Sequence, residues 1–455
     1  MKLSTKIASA LLALGLVTQA SADPTVYLTG SSAFRTAVFD ALSDNTDGTN
    51  AGGLFDTGTV TYATFGSSSA SGATYMVFHG NINGAGIYVD CAFSGSEAGI
   101  ASACNSTLNN PNARNGATYT LSGSPETWVN PSNAVLQVGG NVVTANPNGA
   151  NGGTFEASSH GADLAQADTS QAISWTPFVA GTQTALNDYG SEGVVTFTWS
   201  KNVNPAPSNE WTHVSNITLP QINSLLANGA LPAGFFSGNT NDNDFTVYLV
   251  GRNRGSGTRM NIEATSTYGA HKQVLQYSVG FGVDPNDPAQ ATGTLWLTNE
   301  NNNGYESGGG VAKALSDTGG SVTVGSCQQA DPFNGGKGWF ALGYVSPADA
   351  LNAGNNGGEP TNNWVTVDGA FSNNGNIETG PWWFWGHEHL YGKFQISGIQ
   401  NTVGSLLYTA VSKTLVNLTF GVDPNGHDLG IPYTLMHVHK TSDTSFPVFG
   451  QVIGE

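Results

Sequence analysis

Apolar and polar residues alternate in short blocks that read as strands feeding turns and helices. After Thr25 the chain runs VYLTGSSAF, a short apolar strand entering a Gly/Ser turn, and Arg35–Leu42 (RTAVFDAL) then carries apolar residues at helical spacing. VTYATF (Val60–Phe65) predicts a second strand ending at Gly66-Ser67-Ser68-Ser69, and ADLAQAD (Ala162–Asp168) a third. VVTFTW (Val194–Trp199) and FTVYLVG (Phe245–Gly251) read as buried strands. Between them LPQINSLLANGAL (Leu219–Leu231) has amphipathic spacing, with Pro220 acceptable in a first helical turn. Arg252-Asn253-Arg254-Gly255-Ser256-Gly257-Thr258 then forms another turn before a helical stretch from Arg259. Residues 74–155 are rich in Gly, Asn and Ser and read as a loop-dominated insertion with short strands. Strands alternating with helices predict an α/β fold with a largely parallel sheet, whose ligands bind beyond the carboxyl ends of the strands.

The amino terminus reads as an address. Met1–Lys6 holds two lysines, Ile7–Val17 is apolar, and Ala20-Ser21-Ala22 has the small-x-small form of a cleavage site. An apolar run of about 11 residues falls short of the roughly 20 a spanning helix needs, so residues 1–22 are expected to be a secretory signal peptide. No cysteine follows the cleavage point, so no lipid anchor is indicated, and the mature chain is expected to be periplasmic or secreted.

Composition narrows the function classes. Lys and Arg total 14 against 32 Asp and Glu, a formal charge of −18 over 455 residues. Nucleic-acid affinity comes from many cation–phosphate contacts, and an anionic bilayer repels such a chain, so neither is an expected partner beyond peripheral association. Cys91 and Cys104 are placed to close a short loop, a bridge contributing about 3 kcal/mol, and Cys327 is then left as a small buried hydrophobe. No Cys/His spacing indicates zinc. FGVDPN occurs at 281–286 and again at 420–425 and reads as an Asp-Pro turn.

The turns hold the candidate chemistry. Unpaired N–H groups at a helix start favour an anion, and Ser31, Ser32, Ser67, Ser256 and Thr258 add hydroxyl donors. Arg252 offers a guanidinium fork suited to a tetrahedral oxyanion. Asp168 fits beside an anion only if that anion carries a proton, as hydrogen phosphate does and sulfate does not.

TGSSAF, GSSSASG, ADLAQAD and RNRGSGT, in this order, resemble the phosphate-binding protein of ABC-type phosphate importers, a class II periplasmic binding protein family. LPQINSLLANGAL and LGYVSPADAL (Leu342–Leu351) are similar to later segments of that family. The resemblance implies two α/β lobes with a ligand cleft between them, and capture of inorganic phosphate for an ABC permease without catalysis or cofactor. It implies lobe one at 23–198 and 380–455, carrying the insertion at about 74–155, and lobe two at 199–379. It also implies a phosphate site of Ser31, Ser32, Ala33, Phe34, Ser67, Asp168, Arg252, Ser256, Gly257 and Thr258 in a monomer that closes about a hinge. Two positions depart from the family pattern. Ala33 stands where a threonine is usual, and Arg254 where the binding arginine usually has an acidic partner.

Other readings use the same residues. A phosphatase-like enzyme on this fold needs a nucleophile with a base or paired metals, for which no carboxylate/His spacing is evident. The Asn/Gly/Ser-rich insertion suits a secreted adhesion or matrix protein. His387, Glu388 and His389, with His437 and His439, raise a metal reading in which spacing fixes no third ligand, so none is expected. His160 reads as a surface residue or one at the cleft mouth, and PWWFWGHEHLYG (Pro381–Gly392) is expected in the core, on the return between lobes, rather than as an aromatic stack for a sugar or nucleobase.

Overall fold

The computed structural model describes residues 23–43, 53–57, 59–65, 75–93, 95–104, 161–202, 211–279, 304–305, 307–316, 340–352, 364–417 and 430–449, with short strands at 108–109, 118–119, 127–129, 137–138, 143–144, 155–157, 294–297 and 323–324. The signal segment, Ser67, His160, Cys327 and both FGVDPN copies lie outside the described residues. No helix among the described residues is long and apolar enough to cross a membrane.

Two sheets organise an α/β fold. The larger has nine strands. Its main strands are β1 (Thr25–Gly30), β2 (Thr61–Phe65), β3 (Tyr75–Ile82), β4 (Ala85–Ala92), β5 (Leu164–Ala167) and β6 (Asn187–Thr196). A last strand from far along the chain, Trp385–Gly392, inserts between β5 and β6. The smaller sheet comprises β7 (Thr198–Lys201), β8 (Ala230–Pro232), β9 (Thr246–Val250) and β10 (Phe340–Val345), so Trp385–Gly392 is β11.

The strand, turn and helix pattern holds at the expected places, but the large sheet is mixed. β1 pairs parallel with β4 and β5, whereas β11 runs antiparallel to both its neighbours and β3 antiparallel to β2 and β4. The expectation of a largely parallel sheet fails because β3 and β4 form a hairpin, with Asn83 and Gly84 at positive φ in its turn. That hairpin and the helix after it (α2, Ser96–Ala103) fall within the stretch expected to be insertion. They are integral: β4 is a direct neighbour of β1, and every residue of α2 is buried. Their small and polar residues mimic loop composition because Ala98, Gly99 and Ala101 let α2 press on the sheet; a Cβ at Gly99 would stand 2.7 Å from Gly30 Cα.

Cys91 and Cys104 are both free and buried, which overturns the expected bridge. Cys91 packs with the core around β1 and β3. Cys104 ends α2 in a separate cluster with Ile100, Ala165 and Tyr391. Burial raises the Cys104 thiol to about 12, partly offset by its hydrogen bond with Gln171.

Other helices follow their local signals. α1 (Arg35–Ser43) packs on the long C-terminal helix Gly398–Asn417. α3 (Leu219–Asn228) starts with a Thr218/Gln221 capping box, has Pro220 in its first turn, and stops at Gly229 with φ 70°. α4 (Gly257–Thr265) follows β9.

The chain crosses between the sheets twice, at Phe197 from β6 to β7 and at Trp382–Phe384 into β11. The crossings are pinned together. Phe197 N–H donates to Phe384 O at 3.2 Å, their rings lie 5.0 Å apart, and Trp382 Nε1 donates to Phe197 O at 3.0 Å and Phe384 O at 3.1 Å. Trp382→Phe removes a donor from two buried carbonyls and is expected to cost about 1–3 kcal/mol. Urea unfolding checks this, and an unchanged midpoint would show that the indole N–H does not couple the crossings.

Candidate functional site

The first turn is forced close to its neighbour strand. Gly30 has φ 126°, and a Cβ there would lie 1.9 Å from Gln166 O. Only glycine fits, which lets the Ser31 N–H donate to that carbonyl at 2.8 Å. Ser31 is fully buried, and no well-aligned hydrogen bond within the chain satisfies its Oγ. Ser32 and Ala33 are half-buried, while the Phe34 ring lies in the main core. α1 opens on Arg35, a residue absent from the expected site. Burial lowers its guanidinium to about 10; the Asp349 charge opposes the shift and the Arg252 charge adds to it. Two guanidiniums and one carboxylate therefore share a neighbourhood.

The turn adjoining the first belongs to β4. β2, which leads to Ser67, lies three strands from β1 on the far side of β3 and β4. The chain leaves β4 through Gly95 to Ser96 at the start of α2. Gly95 N–H donates to Gly30 O at 2.8 Å, and Asp168 N–H donates to Ser96 Oγ at 3.2 Å. Ser96 thus stands beside the first turn, where Ser67 was expected. Its signal was readable in IYVDCAFSGSEAG: an apolar strand, a Gly/Ser turn and a run of small residues.

The third and fourth turns meet at Asp168. Its carboxylate Oδ1 occupies the space of a side chain at position 257, with a Cβ on Gly257 falling 1.5 Å away. Asn261 Nδ2 from α4 donates to Asp168 O at 2.7 Å. Asp168 is 2% exposed, and burial raises its carboxyl to about 6, opposed by Ser96 and by the Arg252 charge. Arg252 is buried, with Nε donating to Tyr305 O at 3.4 Å. Ser256 Oγ caps α4 by accepting from Arg259 N at 3.4 Å, which leaves its own proton free to donate, and Thr258 is buried in the first turn.

Arg254 does not join that group. It lies over the Trp175 ring with its guanidinium carbon 3.3 Å from the centroid, and Trp175 stacks on His271 at 4.4 Å. The acidic neighbour of Arg252 is instead Asp349, from the VSPAD segment that begins the helix Pro347–Asn352. Asp349 is raised by burial and lowered first by Arg252, then by a hydrogen bond from Ser346 Oγ at 3.0 Å and by Arg35. The amides at the start of α2 do not face open space either: Glu97 N and Ala98 N donate to Gly255 O at 3.1 and 3.3 Å. These contacts tie the turn after β9 onto the large sheet.

Unpartnered buried atoms collect at this junction. Ser31 Oγ, Asp168 Oδ1, Gln166 Oε1, Glu192 Oε1, Asn261 Oδ1 and both Glu388 carboxyl oxygens have no well-aligned hydrogen bond. Buried polar atoms are normally paired, so such a cluster marks a place completed by water or a ligand. With Arg35 and Arg252 alongside, the arrangement can hold an anion that also offers a hydrogen to Asp168.

The histidines lie elsewhere in role. His387 Nδ1 shares a hydrogen bond with Tyr433 OH at 2.5 Å, and burial lowers the ring to about 4. His389 lies 3.3 Å from the Asp188 carboxylate, and His437 N–H donates to Glu378 O. Among the described residues no three His, Cys, Asp or Glu side chains are grouped to hold a metal ion.

No family model and no curated protein matches the chain in sequence. Solved structures similar in fold include a candidate phosphate ABC transporter substrate-binding protein with bound phosphate from Clostridium perfringens, at 11% identity and TM-score 0.39, covering 86% of this chain and 97% of that one. An ABC-type phosphate transport receptor from Vibrio cholerae is similar at 11% identity and TM-score 0.37, over 87% of this chain and 98% of its own. PstS from Borrelia burgdorferi is similar at 8% identity and TM-score 0.32, over 86% and 97%.

Gly257→Ala must displace either the Asp168 carboxylate or the turn, and is expected to cost roughly 2–4 kcal/mol. Gly309→Ala, in open helical surroundings with Ser307 Oγ 3.8 Å from the new Cβ, is expected to be neutral or mildly stabilising. Thermal melts of the two variants side by side check the difference, and equal midpoints would contradict the close approach.

Proposed function

We propose that this chain is an extracytoplasmic solute-binding protein that captures inorganic phosphate between its two α/β units and delivers it to an ABC permease. The observation that carries the reading is the junction at Asp168. A buried carboxylate oxygen without a partner, a buried serine hydroxyl without a well-aligned one and two guanidiniums meet where three strand ends converge.

The chemistry follows from what each group offers. Arg252 and Arg35 neutralise the anion, and Ser31, Ser256 and Thr258 supply O–H donors to its oxygens. Asp168 accepts the hydrogen of the P–OH group. Sulfate has no such hydrogen near neutral pH and would set two lone pairs against each other, so discrimination comes from a repelled acceptor rather than a closer fit. In this reading lobe one is 23–198 with 380–455 and lobe two is 199–379, joined at the pinned crossings and closing as a hinge. In the same reading, the hydrogen bonds of Gly255 O with α2 and of Asn261 with Asp168 hold the cleft shut. The chain works without catalysis or cofactor, as a monomer in the periplasm or outside the cell.

Calorimetric titration with phosphate and sulfate tests this. The wild type is expected to bind phosphate and ignore sulfate at pH 7.5. Asp168→Asn, whose amide can donate, is expected to lose discrimination more than affinity. The sign of the pH effect is fixed by burial. The folded-state carboxyl titrates at about 6, above its ordinary 3.8, so it gains a proton as pH falls through 6 and can then donate to sulfate. Wild-type sulfate binding should therefore appear below pH 6 and be absent above 7. Equal heats for both anions at pH 7.5 would defeat the reading.

A further inference from the structure

Glu388 lies on β11, one residue before His389, which pairs with Ala167, so the register sets Glu388 beside Asp168. On its other side it pairs with Gly193, where a Cβ would fall 2.5 Å from Leu415 Cδ1, so only glycine fits there. The extra residue of a bulge in β6, Glu192, is aimed into the same region, where Gln166 Nε2 donates to its Oε2 at 2.8 Å. Glu388 is fully buried beside the equally buried Ser31 hydroxyl, and no well-aligned hydrogen bond satisfies either carboxyl oxygen or Ser31 Oγ, although the two side chains are close enough to interact.

We propose, resting on the anion-binding reading above, that Glu388 is a positioning residue of the site: with the anion seated, its carboxyl O–H donates to Ser31 Oγ and turns the Ser31 hydroxyl proton toward the ligand. The groups facing this carboxyl are Asp168 from the end of β5, Glu192 from the bulge, Tyr433 from the C-terminal segment and Ser31. Burial first, then the Asp168 and Glu192 charges, push its pKa well above the ordinary range, with the hydrogen bond to the Ser31 hydroxyl opposing. A carboxyl buried against two other carboxyls, with no cation among the groups facing it, is held in its protonated form. A serine hydroxyl has one proton and two lone pairs. Left alone it rotates freely between donor directions, whereas a donor behind it fixes its oxygen as acceptor on that side. The same proton on Glu388 removes a negative charge from behind the site, leaving Asp168 as the acceptor for the ligand.

Phosphate calorimetry on wild type, Glu388→Gln, Glu388→Ala, Ser31→Ala and the double variant Ser31→Ala/Glu388→Ala tests this, with thermal melts confirming that each is folded. Glu388→Gln keeps an N–H donor behind Ser31 and is expected to bind within about 3-fold of wild type. Glu388→Ala and Ser31→Ala are each expected to weaken binding at least 10-fold. The double variant should bind no more than about 2-fold worse than Ser31→Ala alone, because the carboxyl acts through that hydroxyl. A purely structural role would persist in the Ser31→Ala background and make the losses multiply. Multiplied losses, or a folded Glu388→Ala that binds as wild type, would overturn the proposal while leaving phosphate capture standing. A wild type that binds no phosphate would overturn both. Should Glu388→Ala fail to fold, Glu388→Gln against Ser31→Ala/Glu388→Gln decides: the Gln change must stay within 3-fold in either background.

Discussion

Asp168 Oδ1 stands where residue 257 would carry a Cβ, so the turn after β5 can meet the turn after β9 only across a glycine. That contact fixes much else. It places Arg252 near enough to lower the Asp168 carboxyl against the rise caused by burial. It sets Asn261 under the Asp168 carbonyl and brings the Gly255 carbonyl to the first amides of α2. A second glycine, Gly30, plays the matching part on the other side by letting β1 end hard against Gln166. Two missing methyl groups thus allow strand ends far apart in the sequence to enclose one small volume.

The charge distribution gives that volume its character. The chain is strongly acidic, yet four of its five arginines, Arg35, Arg252, Arg254 and Arg259, sit at the first and fourth turns. Arg259 is paired with Glu263 at 2.8 Å and Arg254 is stacked on Trp175, so these two brace the turn. Arg35 and Arg252 share Asp349 between them. Beneath them lie carboxyls that burial drives toward the neutral form, Glu97 to about 8 and Glu192 and Glu388 well above the ordinary range. The local field is therefore cationic at the turns in a protein whose surface repels anions at long range.

Much of this was legible in the sequence, where local signals agree with the fold. The blocks at Val26–Phe34 and Phe245–Thr258 folded as strand and turn because apolar runs ended at glycine and serine, and Ala162–Asp168 did so with its run ending at Asp168-Thr169. The part that was not legible lies in 75–104. There the hairpin and α2 are built from glycine, alanine and serine, a composition shared with loops, and only packing against β1 reveals them as core. Ser96 stands in that same Gly/Ser-rich stretch, at the start of α2. The roles of Arg35 and Asp349 are not legible in spacing for a different reason: each sits in the first turn of a helix whose neighbours are set by tertiary contact. The thiols illustrate the limit of loop arithmetic, since Cys91 and Cys104 are near in sequence but packed in separate clusters.

The most direct test of a single enclosed anion is crystallographic. Arsenate has the shape and proton of phosphate and scatters anomalously, so crystals grown with it locate the ligand without ambiguity. One strong peak within hydrogen-bond distance of Asp168 Oδ1, Ser31 Oγ and a guanidinium of Arg252 or Arg35 is the expected result. A peak at another surface, with this cluster still unpartnered, would contradict the account.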